Sequence, residues 1–427
     1  MGPSAEQTQT VAFPDAPLGQ LWAGDLCVDH LDDALSISVS LHWDGPTAPP
    51  ALPSGRRLRV EVNDLDRLGG DRRQLLAAHT PPNATALVPL LAVIAAATGA
   101  DLTIEAPVCP TALAGARRAI AVGQFAHGWS AVTLGATAGA AGPPHHGGDG
   151  LVFSLNLESL ATLVELRGAQ LAPTHLLAID GSQPTATGGH RSGRSEAMAA
   201  NATRLPLVRA STNAGELAIS GMGSPTAEQA ISAACALALA GVVGSVTLPT
   251  GRRAATDHSP DTTTLWSSAA VRLSPTTSRP SVSDAATLVA TSPWALQWLQ
   301  VCPSHGGDRN CGRCAPCQFT LTALWLAGVT DADLPGFDHA VDPAVIRALP
   351  PGDHRDHRGR HDYLDLIANL TGVAEGTAGE PATALRGERF LAAALAEAWA
   401  AHLERLEAWT AHLEFANAPT GTHALSA

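Results

Sequence analysis

The chain has 427 residues, of which 45% are hydrophobic and 15% charged, so it can bury large cores and is not a disordered chain. Its formal net charge is −13 and all 26 of its basic residues are arginine, which argues against a nucleic-acid partner. The lack of lysine excludes a lysine Schiff base, a lysine nucleophile and the nucleotide loop that ends in Gly-Lys-Ser/Thr.

The first predicted unit is an N-terminal α+β domain over residues 1–140. Apolar residues alternate with mostly polar ones over residues 35–43 and again over 58–62, which predicts an antiparallel pair of half-buried strands. A helix is predicted over residues 85–98, with Gly99 as its C-terminal cap, and a strand over 101–106. The N-terminus has no basic region followed by an apolar run, so we expect no secretory signal and a cytoplasmic protein.

The second predicted unit, residues 150–330, has the pattern of a doubly wound α/β domain. Apolar strands are predicted over residues 151–154, 175–179, 205–209 and 243–248, with helices between them. This alternation predicts a parallel sheet flanked by helices. Ligands of such sheets bind outside the carboxyl ends of the strands, so the segments after Phe153 and Ile179 are candidate binding segments.

The third predicted unit is a C-terminal helical extension over residues 331–427. An irregular polar region is predicted to end near Gly379, and a long helix to follow over residues 387–416. One stripe of this helix carries Leu391, Leu395, Trp399, Leu403, Leu406 and Leu413. Such a stripe is expected to pack on its own chain or on a partner, and we favour a homodimer. The apolar runs of the chain are too short to span a membrane.

Four cysteines stand close together after the predicted sheet. Cys302 is followed by eight residues and then by Cys311, Cys314 and Cys317 on two-residue spacers. Two-residue spacers let successive sulfurs reach one ion at about 2.3 Å, and four thiolates complete a tetrahedral structural Zn²⁺ site. Two other interpretations stay open, an iron–sulfur cluster and buried free thiols.

A predicted strand runs into a predicted helix at a short polar turn over residues 151–160, and the next strand ends at Asp180-Gly181. Together with the cysteine spacing, this arrangement resembles the pyrophosphate-loop ATPases of the adenine-nucleotide hydrolase-like group. It resembles in particular 7-cyano-7-deazaguanine synthase and its relatives. The resemblance covers residues 150–328 and implies their α/β fold.

The resemblance implies a loop whose backbone amides hold the phosphates of ATP, with Mg²⁺, for adenylation of a carboxylate or carbonyl group. The residues that it assigns to the nucleotide are Ser154, Leu155, Asn156, Glu158, Ser159, Asp180 and Gly181. Relatives carry Ser-Gly-Gly-x-Asp-Ser at the loop, whereas Leu155 and Asn156 replace the glycines here and Glu158 replaces the aspartate. Phe319 stands where relatives commonly have an arginine.

These replacements predict a degraded phosphate cradle, because glycine allows close approach of backbone to phosphate and positive φ. Leu155 is expected to place a branched side chain in the path of a phosphate. We therefore expect a zinc-binding, non-hydrolysing protein that binds or forms complexes in a tailoring, modification or defence pathway, with weak binding of ATP and Mg²⁺. The alternatives are an active ATP-dependent ligase or amide- or nitrile-forming synthase, and an iron–sulfur redox protein.

Overall fold

The structure is a computed structural model. It describes residues 19–45, 56–69, 71–139, 147–180, 194–214, 225–250, 261–278, 280–302, 309–351, 360–376 and 386–417. The strands are β1 (Gly19–His30), β2 (Ala34–Asp44), β3 (Arg57–Asn63), β4 (Ala100–Val108), β5 (Leu134–Ala138), β6 (Gly148–Val152), β7 (His175–Asp180), β8 (Leu207–Thr212), β9 (Val243–Leu248) and β10 (Arg272–Pro275).

The α-helices of the described residues lie between and after these strands. They are α1 (Asp71–Ala78), α2 (Val88–Thr98), α3 (Pro110–His127), α4 (Leu157–Gly168), α5 (Arg194–Thr203), α6 (Pro225–Leu237), α7 (Val282–Ala290), α8 (Pro293–Trp298), α9 (Ala315–Leu326), α10 (Pro343–Ala348), α11 (Arg360–Glu375) and α12 (Arg386–Asn417). None of these helices has the length and apolar character that a membrane crossing requires.

The strands form one sheet in the order β10-β9-β6-β7-β8-β3-β2-β1-β4-β5. In the N-terminal half, β2 pairs antiparallel with β3, as the alternation predicted, and Ile37 lies opposite Val60. Gly99 caps α2 with a φ of 66°, again as predicted. The sequence did not reveal β1, because a bulge between Gly24 and Cys27 interrupts its alternation.

The strands β6 to β10 are all parallel, which confirms the prediction of a parallel sheet with flanking helices. Their order, β8-β7-β6-β9-β10, is that of a doubly wound sheet, and the strand order reverses between β6 and β9. The segment after β6 therefore lies at the position where such sheets bind ligands.

The two halves of the sheet meet at β3 and β8, which pair antiparallel over four residue pairs, from Val60 opposite Thr212 to Asn63 opposite Arg209. One continuous sheet thus crosses the predicted domain boundary between residues 140 and 150. Division into separately folding domains stays a prediction.

Two hydrophobic cores pack against the sheet. The first contains residues of β1 to β5 and β7 to β10 together with α2, α3 and α6, and the second contains residues of β6, β7 and β8 together with α4, α7, α9, α11 and α12. The prediction of an irregular region up to Gly379 was wrong, because this part of the chain contains the helices α10 and α11. In α11, Tyr363, Leu366 and Leu370 are fully buried at helical spacing, and polar neighbours obscured that stripe in the sequence.

Candidate metal centre

The four cysteines predicted as metal ligands lie together in the structure. Their sulfur atoms are all within 4.8 Å of one another. The Sγ–Sγ distances of Cys311 to Cys317 and of Cys314 to Cys302 are both 3.9 Å. A tetrahedral ion with metal–sulfur bonds of about 2.3 Å separates its sulfurs by about 3.8 Å. The cluster therefore has the size that one tetrahedral ion requires.

Local backbone geometry places three of the thiols. Cys314 is the N-cap of α9, and Cys317 lies in the first turn of that helix. Gly312 has a φ of +65°, and an added Cβ would lie 2.6 Å from the carbonyl oxygen of His339. The turn between Cys311 and Cys314 therefore requires glycine. The backbone amide of Arg313 donates to Cys311 Sγ at 3.3 Å.

Asn310 holds the segment that carries the fourth thiol. Its side chain is 1% exposed. Its Oδ1 accepts from the backbone amides of Val301, at 2.8 Å, and Cys302, at 3.1 Å, while its Nδ2 donates to the carbonyl of Leu299 at 2.8 Å. One amide side chain thus fixes the chain on both sides of Gln300 and sets the direction of Cys302.

Gln318 ties the cysteine turn to the chain that follows α9. This fully buried side chain donates through Nε2 to the carbonyls of Gly312 and Ala340, and its Oε1 accepts from the amide of Asp342 at 2.9 Å. Sequence reasoning missed Gln318 and Asn310. The available signal was that each is a polar residue directly next to a cysteine of the cluster.

Two thiols of the cluster, those of Cys314 and Cys317, have a raised pKa. The thiol of Cys302, followed by that of Cys314, raises the pKa of Cys317, and Cys302 is also the main cause of the raised pKa of Cys314. Burial adds to both shifts. A bound metal ion reverses this balance, because a coordinating thiol is deprotonated outright. The four sulfurs are thus suited to a cation rather than to four free thiolates.

One side of the cluster faces an open groove of about 490 Å³. Cys311 and Cys314, both partly exposed, border it together with Arg313, Asp338 and His339. Cys302 and Cys317 are buried in the second core. The cysteine cluster is thus buried at two thiols and partly exposed at the other two.

The predicted nucleotide loop lies between β6 and α4, at the carboxyl end of the strand where the strand order reverses. Two of its backbone amides donate to side chains of the loop itself. The amide of Ser159 donates to Asn156 Oδ1 at 2.8 Å, which makes Asn156 the N-cap of α4, and the amide of Ser154 donates to Ser159 Oγ at 3.4 Å. The polar turn thus supplies its own hydrogen-bond acceptors.

Leu155 carries the left-handed backbone of this loop, with a φ of +59°. A branched residue in this region costs about 1–2 kcal/mol. Its side chain is fully buried in the second core. The expectation that it blocks a phosphate path is therefore corrected, because the core takes up the side chain. The Leu155 carbonyl accepts from the Gln300 amide at 2.8 Å, two residues before Cys302.

The remaining loop positions lie at the same edge of the sheet. Glu158 is half-buried in the first turn of α4, and Asp180 is the last residue of β7. Gly181 lies outside the described residues.

Phe319, the position at which the resemblance predicted an arginine, is fully buried. Its ring meets the ring of Tyr363 edge to face at 5.2 Å and that of Trp399 at 5.6 Å. These partners belong to α11 and α12. The C-terminal helix accordingly packs on its own chain, one of the two arrangements predicted for its apolar stripe, and the homodimer stays a prediction.

Comparison of the chain with known proteins finds no relative. No protein family, curated protein or solved structure matches the chain. The four-cysteine cluster and the doubly wound half-sheet are therefore the features from which a function has to be inferred.

Proposed function

We propose that the chain is a zinc-binding protein of the pyrophosphate-loop type, similar to 7-cyano-7-deazaguanine synthase, in which the ATP loop no longer supports hydrolysis. It would act by binding or complex formation in a tailoring, modification or defence pathway. The observation that carries the proposal is the loop at the start of α4. It occupies the nucleotide position of a doubly wound sheet, yet two of its amides, those of Ser154 and Ser159, donate to the Ser159 and Asn156 side chains of the loop itself.

Zinc is the metal that fits the cluster best. An iron–sulfur cluster distributes its cysteines over several irons and so separates their sulfurs, whereas here all four lie within 4.8 Å of one another. Four thiolates also leave no open position for water, which assigns the ion a structural role. Metal analysis of the purified chain should give about one zinc per chain, and iron with visible absorption would instead support the redox protein.

The degraded loop predicts weak binding of ATP and magnesium. A phosphate would have to displace the cap that Asn156 provides to α4, at a cost of about 1 kcal/mol, and no glycine lets the backbone approach it closely. Glu158, longer by one methylene than aspartate, is a poorer match for the strict geometry of Mg²⁺. Low affinity and negligible pyrophosphate release are therefore expected.

Calorimetric titration with ATP and magnesium tests this proposal. The triple variant Leu155→Gly, Asn156→Gly and Glu158→Asp should bind ATP more tightly than the wild type. Because Leu155→Gly also removes a buried leucine, Leu160→Ala is the matched control, since Leu160 is equally buried in the same core. Low-micromolar affinity in the wild type would overturn the proposal.

An active ATP-dependent ligase or amide- or nitrile-forming synthase is the second candidate. The positive φ at Leu155 favours it, because the loop keeps the backbone form that glycine usually supplies. Steady release of pyrophosphate by the wild type, with a carboxylate or carbonyl substrate present, would establish that activity and exclude the degraded loop.

A further inference from the structure

We infer that metal occupancy of the cysteine cluster controls the docking of the C-terminal helices α11 and α12 on α9. The inference rests on the metal centre and is independent of the nucleotide loop. The contacts that would transmit it form two routes from the cysteines to α12, one through α9 and one through α10.

The first route runs along α9. This helix begins at Cys314 and carries Cys317 in its first turn. Within the next turns, Thr322 Oγ1 donates to the carbonyl of Gln318 at 2.7 Å and accepts from Trp399 Nε1 at 3.1 Å. The only polar atom of the Trp399 side chain is thus bound to the helix that the metal ligands begin.

Aromatic packing strengthens the same route. Phe319, two residues after Cys317, meets the rings of Tyr363 and Trp399, and Trp399 meets His402 edge to face at 5.7 Å. The four rings, Phe319, Tyr363, Trp399 and His402, form an aromatic cluster between α9, α11 and α12. All four side chains are at most 2% exposed, so a small rotation of α9 changes their packing.

The second route passes through α10. The amide of Asp342 donates to Gln318 Oε1, and Asp342 Oδ1 accepts from the amide of Ala344 at 2.7 Å, which caps α10. From α10, Arg347 pairs with Glu397 of α12 at 3.4 Å. The Gln318 side chain also contacts the Gly312 carbonyl inside the cysteine turn, so it belongs to both the metal centre and this route.

Loss of the ion would weaken both routes where they begin, at the cysteine cluster. The thiolates would be reprotonated, and the first turn of α9 would lose its metal cross-link to Cys302 and Cys311. Both routes start in that turn. Segments whose anchoring contacts are removed open locally before the rest of the protein does. By thermodynamic reciprocity, weaker docking of α12 must also weaken metal binding by the same factor.

Hydrogen exchange of the full chain, with zinc and after its removal by a chelator, tests the inference. Amides of residues 391–406 should exchange at least about tenfold faster without zinc, while those of β2, in the first core, should keep their protection. Unchanged exchange in α12 after measured zinc loss would overturn the inference. Equal loss of protection in β2 would also overturn it, because the effect would then be global.

Two single-bond variants test the reciprocal effect on zinc. Thr322→Val removes the acceptor of the Trp399 indole and should speed zinc transfer to a chelator several-fold. Thr371→Val is the matched control, because within the part of the chain that the structure describes Thr371 Oγ1 bonds to one group, the carbonyl of Ile367 four residues earlier, at 2.9 Å. Equal zinc release by the two variants would contradict the coupling. Absence of bound zinc in the wild type would instead refute the metal centre, and with it this inference.

Discussion

Replacing Asn310 with alanine should remove the hydrogen bonds that position Cys302 while leaving all four thiols of the cluster in the chain. The side chain makes hydrogen bonds to two amides and one carbonyl of the segment 299–302, and it is 1% exposed. Alanine keeps the backbone conformation available but supplies no partner for these groups. Cys302 should then lose its fixed direction toward the other three sulfurs.

The magnitude follows from the groups left without a partner. The Cys302 amide and the Leu299 carbonyl belong to buried residues, and each unsatisfied group costs about 1–3 kcal/mol, whereas Val301 is partly exposed and costs less. The variant should therefore lose about 3–5 kcal/mol in the free energy of the unfolding transition that releases zinc. This is a large part of the stability of an ordinary domain, about 5–15 kcal/mol.

The assay is a urea titration followed by a zinc-sensitive dye, together with the rate of zinc transfer to a chelator under native conditions. Asn369→Ala is the matched control. Asn369 is exposed, and among the described residues its side chain bonds to Ser283 Oγ alone, at 2.9 Å, so its loss should change stability by less than about 0.5 kcal/mol. If the two alanine variants unfolded alike and held zinc equally well, Asn310 would not be a positioning residue.

Three further outcomes are expected. Gly312→Ala should lower zinc affinity by at least about tenfold in chelator competition, because its Cβ would meet the His339 backbone at a φ of +65°; unchanged affinity would show that this turn is not rigid. Burial raises the pKa of Cys235 to about 12, so in the folded protein it should resist iodoacetamide at pH 8, and mass spectrometry would detect alkylation only after unfolding. Burial lowers the pKa of His79 below its ordinary 6.5, so its folded state binds protons less readily than the unfolded chain. Stability should hold above pH 6.5 and fall as the pH drops further, less steeply in His79→Asn, and identical pH profiles of the two proteins would contradict this.

The features that the sequence predicted well are those fixed by nearby residues. The cysteine cluster follows from two-residue spacers, and β2, β3 and α2 follow from alternation and a glycine cap. The supports of the cluster depend on contacts that span many positions. Gln318 reaches Ala340 and Asp342, and Asn310 reaches Leu299, so their position next to a cysteine marked them as candidates but could not give their partners.

The loop at Leu155 shows a different limit of sequence reasoning. Comparison with glycine-containing loops predicted a side chain in the phosphate path, because a motif gives residue types but no side-chain direction. In the structure, the left-handed backbone turns the side chain into the second core. The same limit applied to α11. Its buried stripe packs on residues distant in the sequence, as Tyr363 does on Phe319, and the sequence does not show that contact.

The antiparallel pairing of β3 with β8 joins the two halves of the sheet, so the halves should not be stable as separate fragments. A cut between residues 139 and 147 would leave each fragment with a bare inner strand, β3 in one and β8 in the other. Exposed strand edges of this kind recruit other strands. The two pieces should thus behave as a split protein: each self-associates or aggregates when produced alone, and co-expression restores a soluble pair through the register of Val60 with Thr212.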